Sequence, residues 1–115
     1  MLKKYIDSIR YANQGLRYFF KHDTHAKIHL LASICIITVG FILHFSWVSW
    51  VLVILCIGLV FAAEMFNSAI EKLCDKVEPD QHPQIKIIKD LAAAAVWTTS
   101  LMSAVIGGIL IYQAW

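Results

Sequence analysis

From Ile28 to Ala63 the chain carries no Asp, Glu, Lys or Arg. As a single helix rising about 1.5 Å per residue, that run would be about 54 Å long. A bilayer's hydrocarbon core is only about 30 Å thick, so the run reads as two membrane spans joined by a short turn. A second uncharged run, Leu91 to Trp115, is long enough to cross once more. With 59% hydrophobic and 16% charged residues in 115, the chain has more apolar surface than a soluble domain of this size can hide. The expected fold class is an all-α integral membrane protein with three transmembrane helices.

All ten Lys and Arg residues fall between Lys3 and Lys27 or between Lys72 and Lys89. None lies in the His44–Trp50 connection or at the C-terminal end. The positive-inside rule then places the N-terminus and the Lys72–Lys89 region in the cytoplasm, in a multi-pass protein of the cytoplasmic (inner) membrane. Trp47, Trp50, Tyr112 and Trp115 are expected to form an aromatic belt on the far side, whereas Trp97 packs in the bundle or faces lipid. The net charge of +2 is small and one-sided, which suits an anionic leaflet better than nucleic acid, and no nucleic-acid-binding motif is present. No small-residue cleavage site closes the first apolar run, so it does not read as a signal peptide.

Before the first span, Leu2, Tyr5, Ile6, Ile9, Leu16, Phe19 and Phe20 recur at helical spacing opposite Lys3, Lys4, Asp7, Arg10, Gln14, Arg17 and Lys21. This predicts an amphipathic helix over 1–22 lying along the interface. Helices containing the three spans are predicted at 24–43, 46–76 and 91–112. The second continues beyond the membrane until Pro79 and Pro83 stop it, and 84–90 forms a short lead into the third. In the third, Ala95, Thr99, Ser103 and Gly107 repeat every four residues, with Ser100, Ala104 and Gly108 beside them, a spacing that lets helices approach closely in lipid. Residues 1–115 form a single domain without internal repeats. Three spans are too few to enclose a polar site comfortably, so a homo-oligomer is expected.

The chemistry concentrates in EMFNSAIEKLCD, Glu64 to Asp75. At about 100° per residue, Glu64, Asn67, Ser68, Glu71 and Asp75 share one face. Glu64 falls near the inner boundary of the hydrocarbon, where a carboxylate is costly and usually functional. The bland reading, a solvated face on a protruding helix, suits Asp75 better than Glu64. Such a stripe meets the needs of phosphoryl transfer to an alcohol: one carboxylate to orient or deprotonate a lipid hydroxyl, others to hold magnesium beside phosphates. Lys89 and Asp90 open the third span, where they either anchor it at the interface or contact phosphate and metal or nucleotide. Asp23 can face the Glu71 stripe across the bundle.

Other features carry less. Within HDTHAKIH, His25 and His29 have the i,i+4 spacing of a zinc pair, yet no further ligands lie nearby and interfacial histidines are the simpler reading. Cys35, Cys56 and Cys74 lack any CxxC spacing and read as packing residues. There is no GxxxxGK[ST], GxGxxG or DFG-like motif, so a nucleotide site must be built differently from the common soluble folds.

The stretch AEMFNSAIEKLCDKVEPDQHPQIKIIKDLAAAAV, Ala63 to Val96, resembles the signature of the small prokaryotic diacylglycerol kinases, with E-x-x-N-S-A-I-E-x-x-x-D followed by K-D at the third span. The resemblance extends over nearly the whole chain, including GLRYFF at Gly15. It implies a homotrimeric lipid kinase that uses ATP and Mg2+ at the cytoplasmic interface. It further implies Glu64 as general base with Asn67 beside it, and Glu71 as a magnesium ligand. Asp75, Lys89 and Asp90 would contact nucleotide, Tyr11 would lie near it, and His82 would belong to the loop that covers it. The second metal-binding acid, ordinarily Glu, is Asp23 here, and Lys4 or Arg10 supplies the cationic contact near the chain start. Members of the family phosphorylate diacylglycerol or undecaprenol. KIHLL after Asp23 and P-x-x-H-P in the loop resemble the undecaprenol branch, so that lipid is favoured. A non-enzymatic membrane assembly protein would leave the acidic stripe unexplained, and an ion-coupled transporter would not need Lys89, Asp90 and a long cytoplasmic helix.

Overall fold

The computed structural model describes residues 1–115 as four helices: α1 (Leu2–His22), α2 (Thr24–Ile42), α3 (Trp47–Val77) and α4 (Pro83–Ala114). Each boundary has a local chemical cause. Asp23 leaves helical geometry, and its Oδ1 accepts from the backbone N–H groups of His25 and Ala26 at 2.8 and 3.2 Å, capping α2. Ser46 caps α3 by accepting from the Ser49 N–H. His82 caps α4 through Nδ1, which accepts from the Gln84 N–H at 3.1 Å, and Pro83 follows in the first turn, where its missing N–H costs nothing. The 84–90 stretch, expected as a separate lead, is the first two turns of α4 itself.

Helices α2, α3 and α4 are each long and apolar enough to cross a membrane, and the chain is an all-α membrane protein. At about 1.5 Å per residue the 31 residues of α3 span about 46 Å, so one end must project beyond the hydrocarbon. Only 11 of 115 residues are buried, which a water-soluble fold could not tolerate. Lipid or further subunits must cover the rest.

Helix α3 packs chiefly against α4, and α2 lies across both. The core sits at the turn end, where Phe45, Val53 and Leu110 are buried among Ile36, Trp50, Ile57 and Ile106. There the α2–α3 turn closes with Phe45 N–H donating to the Gly40 carbonyl and His44 in the left-handed region at φ 56°. Trp50, expected in the interfacial belt, is half-buried at the turn end: a Cβ on Gly40 would lie 2.7 Å from its ring, so the glycine is what admits the indole. Trp47, Tyr112 and Trp115 remain exposed, and Trp97 lies on the outside of the subunit.

Helix α1 joins the bundle mainly through its C-terminal end. Phe19 is buried, and Phe19 and Phe20 meet Phe61 of α3 edge-on. Leu2, Tyr5, Ile6 and Ile9 stay exposed, as an apolar face destined for lipid would. The small residues Ser103, Ala104, Gly107 and Gly108 do not seal α4 against its neighbours. They line a groove of about 460 Å³ shared with α2 and α3.

Candidate functional site

Glu64 and Asn67, one turn apart on α3, are the buried polar residues of the subunit, 2% and 8% exposed. Their burial follows from the helical stripe, which α3 turns toward α1 and α2. Asn67 Nδ2 donates to Glu71 Oε1 at 3.2 Å. Its Oδ1 is buried without a partner, a free acceptor that a native interior rarely wastes.

Across from this stripe, Ser68 Oγ donates to Asp23 Oδ2, while Asp23 Oδ1 caps α2. One carboxylate therefore both starts a helix and reaches α3. Asp23, Glu64, Ser68, Glu71 and Lys72 line a cavity of about 800 Å³ beneath the end of α1. The Lys72 ammonium sits 5.2 Å from the Tyr18 ring centroid, tying α1 to α3 by a cation–π contact.

The remaining expected residues gather elsewhere. His82, Lys86, Lys89 and Asp90 line a second cavity of about 620 Å³ at the α3–α4 loop. Lys89 Nζ lies 2.5 Å from Asp75 Oδ1, and Lys86 Nζ lies 2.6 Å from Asp90 Oδ2. Lys89 is held above the ordinary lysine range chiefly by its hydrogen bond to Asp75, which desolvation opposes, with smaller contributions from the charges of Asp75 and Glu71. Tyr11 lines neither cavity; it is exposed, with the Arg10 guanidinium 5.4 Å from its ring. Arg10 itself pairs with Asp7 at 3.3 Å. One subunit thus brings Asp23, Glu64, Asn67 and Glu71 together, links Asp75 to Lys89, and leaves Tyr11 apart.

Three partners were not singled out from sequence. Lys72 and Lys86 were given no role, and His29 was read as interfacial, yet its Nε2 lies 3.4 Å from Glu64 Oε2. The signal existed in the register of the helical hairpin: His29 and Glu64, like Asp23 and Ser68, stand at comparable distances either side of the 43–46 turn.

The oxygen donors at the first cavity are three carboxylates, Asp23, Glu64 and Glu71, with the hydroxyls of Ser68 and Thr24. No three His, Cys, Asp or Glu side chains converge closely enough to cage an ion. That set fits magnesium, which binds through one or two carboxylates and completes its shell with water and phosphate oxygens, and it does not fit zinc.

A sequence model described as prokaryotic diacylglycerol kinase matches residues 10–111. The chain is 31% identical over 106 residues to an undecaprenol kinase of Bacillus subtilis, covering 92% of this chain and 86% of that protein. It is 30% identical over 108 residues to a diacylglycerol kinase of Haemophilus influenzae, covering 93% and 92% respectively. A diacylglycerol kinase of Synechocystis sp. is 32% identical over 105 residues, 90% of this chain but 60% of that longer protein. The match runs through α1, the capping aspartate, the acidic stripe and the small-residue helix together, and on that breadth the chain belongs to the prokaryotic diacylglycerol kinase family.

Proposed function

We propose that this membrane lipid kinase transfers the γ-phosphate of ATP to the terminal hydroxyl of undecaprenol. The observation that carries the reading is Glu64, a carboxylate buried midway along the membrane helix α3 beside a polar cavity. A charge there is expensive unless it works.

Glu64 accepts the hydroxyl proton as the lipid oxygen turns nucleophilic, a role for which general bases contribute about 100- to 10,000-fold. Asn67, with Nδ2 committed to Glu71 and Oδ1 free, orients the hydroxyl. Asp23 and Glu71 would hold magnesium, which when bound neutralises charge on the phosphates. Lys89 and Asp90, with Asp75 and His82, hold the nucleotide, and Tyr11 covers it from a neighbouring subunit. A homotrimer is supported by the two separate cavities and by the largely uncovered bundle. The charge asymmetry supports an N-terminus and site on the cytoplasmic side of the cell membrane.

The preference for a polyprenol is drawn from the apolar side chains within about one turn of Glu64 on α3, Val60, Phe61 and Met65. The identity to the Bacillus subtilis undecaprenol kinase supports the same choice. Diacylglycerol is the second reading, favoured by the names of the other relatives. Competition between the two lipids for labelled γ-phosphate tests it: a higher kcat/KM for diacylglycerol reverses the lipid assignment, and no transfer to either lipid refutes the kinase assignment.

A further inference from the structure

Glu64 has one ion-pair partner in the subunit, His29, whose Nε2 lies 3.4 Å from Oε2 with the two side chains 18% and 3% exposed. The imidazole is held from two directions. Phe61 meets it edge-on, centroids 6.4 Å apart at 80°, and Phe61 is braced in turn by Phe19 and Phe20. The pair also occupies a boundary. His29 lines the apolar groove between α2, α3 and α4, whereas Glu64 lines the polar cavity with Asp23, Ser68 and Glu71.

A carboxylate on a helix can rotate about its χ angles, and a base that wanders loses much of its advantage, since misplacement by about 1 Å can cost about 100-fold. We propose that His29 is a positioning residue for Glu64: donation from Nε2 to Oε2 fixes the carboxylate so that Oε1 is left for the lipid hydroxyl. The imidazole can donate from Nε2 whether neutral or protonated, and its short rigid stem, unlike that of lysine, cannot carry the donor away to water. At 3.4 Å the two groups are close but not yet hydrogen-bonded, and contacts of this kind in unliganded sites commonly tighten when substrate binds. The inference rests on the reading of Glu64 as general base.

Two variants separate donation from packing. His29→Phe keeps a ring against Phe61 but has no N–H, whereas His29→Gln keeps an N–H donor and loses the ring. In purified full-length protein with MgATP and the lipid it phosphorylates, His29→Phe is expected to lower kcat about 10- to 100-fold with both KM values within about twofold, and His29→Gln to regain most of that loss. Placed on Glu64→Gln, His29→Phe should cost nothing further, because the group it positions is gone. The opposite ranking of the two variants, an effect confined to KM, or an undiminished loss on the Glu64→Gln background would overturn the assignment. If Glu64→Gln itself retains full turnover, the general-base reading fails and takes this inference with it. A deep loss in Glu64→Gln beside an unaffected His29→Phe sinks this inference alone.

Discussion

Asp75 on α3 and Lys89 on α4 lie 2.5 Å apart across the loop that joins the helices, so two residues expected to meet nucleotide already meet each other. The pair is solvent-facing, with side chains 66% and 37% exposed, and salt screens it. Its importance is in placing the ammonium beside the second cavity.

Because the hydrogen bond to Asp75 raises Lys89, its contribution to stability is complete below the ordinary lysine value of about 10.4 and disappears as pH rises through the raised value. Lys89 therefore stays charged throughout any ordinary assay range. Asp75→Asn should move its titration downward, followed by NMR of labelled lysine Cε. An unmoved titration would show that the pair does not persist in solution.

Substitutions at Asp23 should split into a folding effect and a metal effect. Asn caps helices as well as Asp does, so Asp23→Asn should keep thermal stability while raising the magnesium needed for activity. Asp23→Ala loses the cap as well, about 0.5 to 2 kcal/mol. Asp23→Glu restores the residue usual in the family but is too long to cap α2 in the same way, so it should unfold earlier than wild type. Equal magnesium titrations for Asp23→Asn and wild type would confine this residue to the cap.

Glu64→Gln preserves shape and removes the base. Turnover should fall about 100- to 10,000-fold with ATP binding retained. Titration of ATP by fluorescence or calorimetry alongside turnover distinguishes this from a damaged fold. Near-normal turnover would remove Glu64 from the chemistry.

Gly40→Ala places a methyl 2.7 Å from the Trp50 ring and 2.9 Å from Phe45. Overpacking of this kind costs about 1 to 3 kcal/mol. A lowered melting temperature in detergent is expected, together with near-normal kcat, because the clash lies at the opposite end of the bundle from Glu64. Gly40→Ala with Trp50→Leu should recover stability if the indole is the obstacle.

A site shared between subunits predicts complementation. Mixed oligomers of Glu64→Gln and Asp90→Asn chains should regain activity that neither has alone. Verified mixed oligomers without recovery would place the whole site within one chain.

The helices, their number and their approximate ends were legible because local chemistry sets them: an uncharged run must cross or hide, and a proline cannot continue a helix. The acidic stripe was legible too, since Glu64, Asn67, Glu71 and Asp75 share a face by helical geometry alone. That Trp50 packs against Gly40 and Phe45 was not legible, because an aromatic at a helix end can face lipid or a neighbouring helix and only the tertiary contact decides.

What the sequence determined by itself was everything that depends on neighbours along one helix: the three spans, the amphipathic α1 and the acidic stripe of α3. What the tertiary structure decided was which distant groups share a cavity. His29 met Glu64 and Ser68 met Asp23 because the turn at 43–46 fixes how α2 slides along α3, and a shift of one residue there would turn each side chain by about 100°. The separation of Tyr11 from the Glu64 cavity was decided at the same level, because α1 joins the bundle mainly through Phe19 and Phe20.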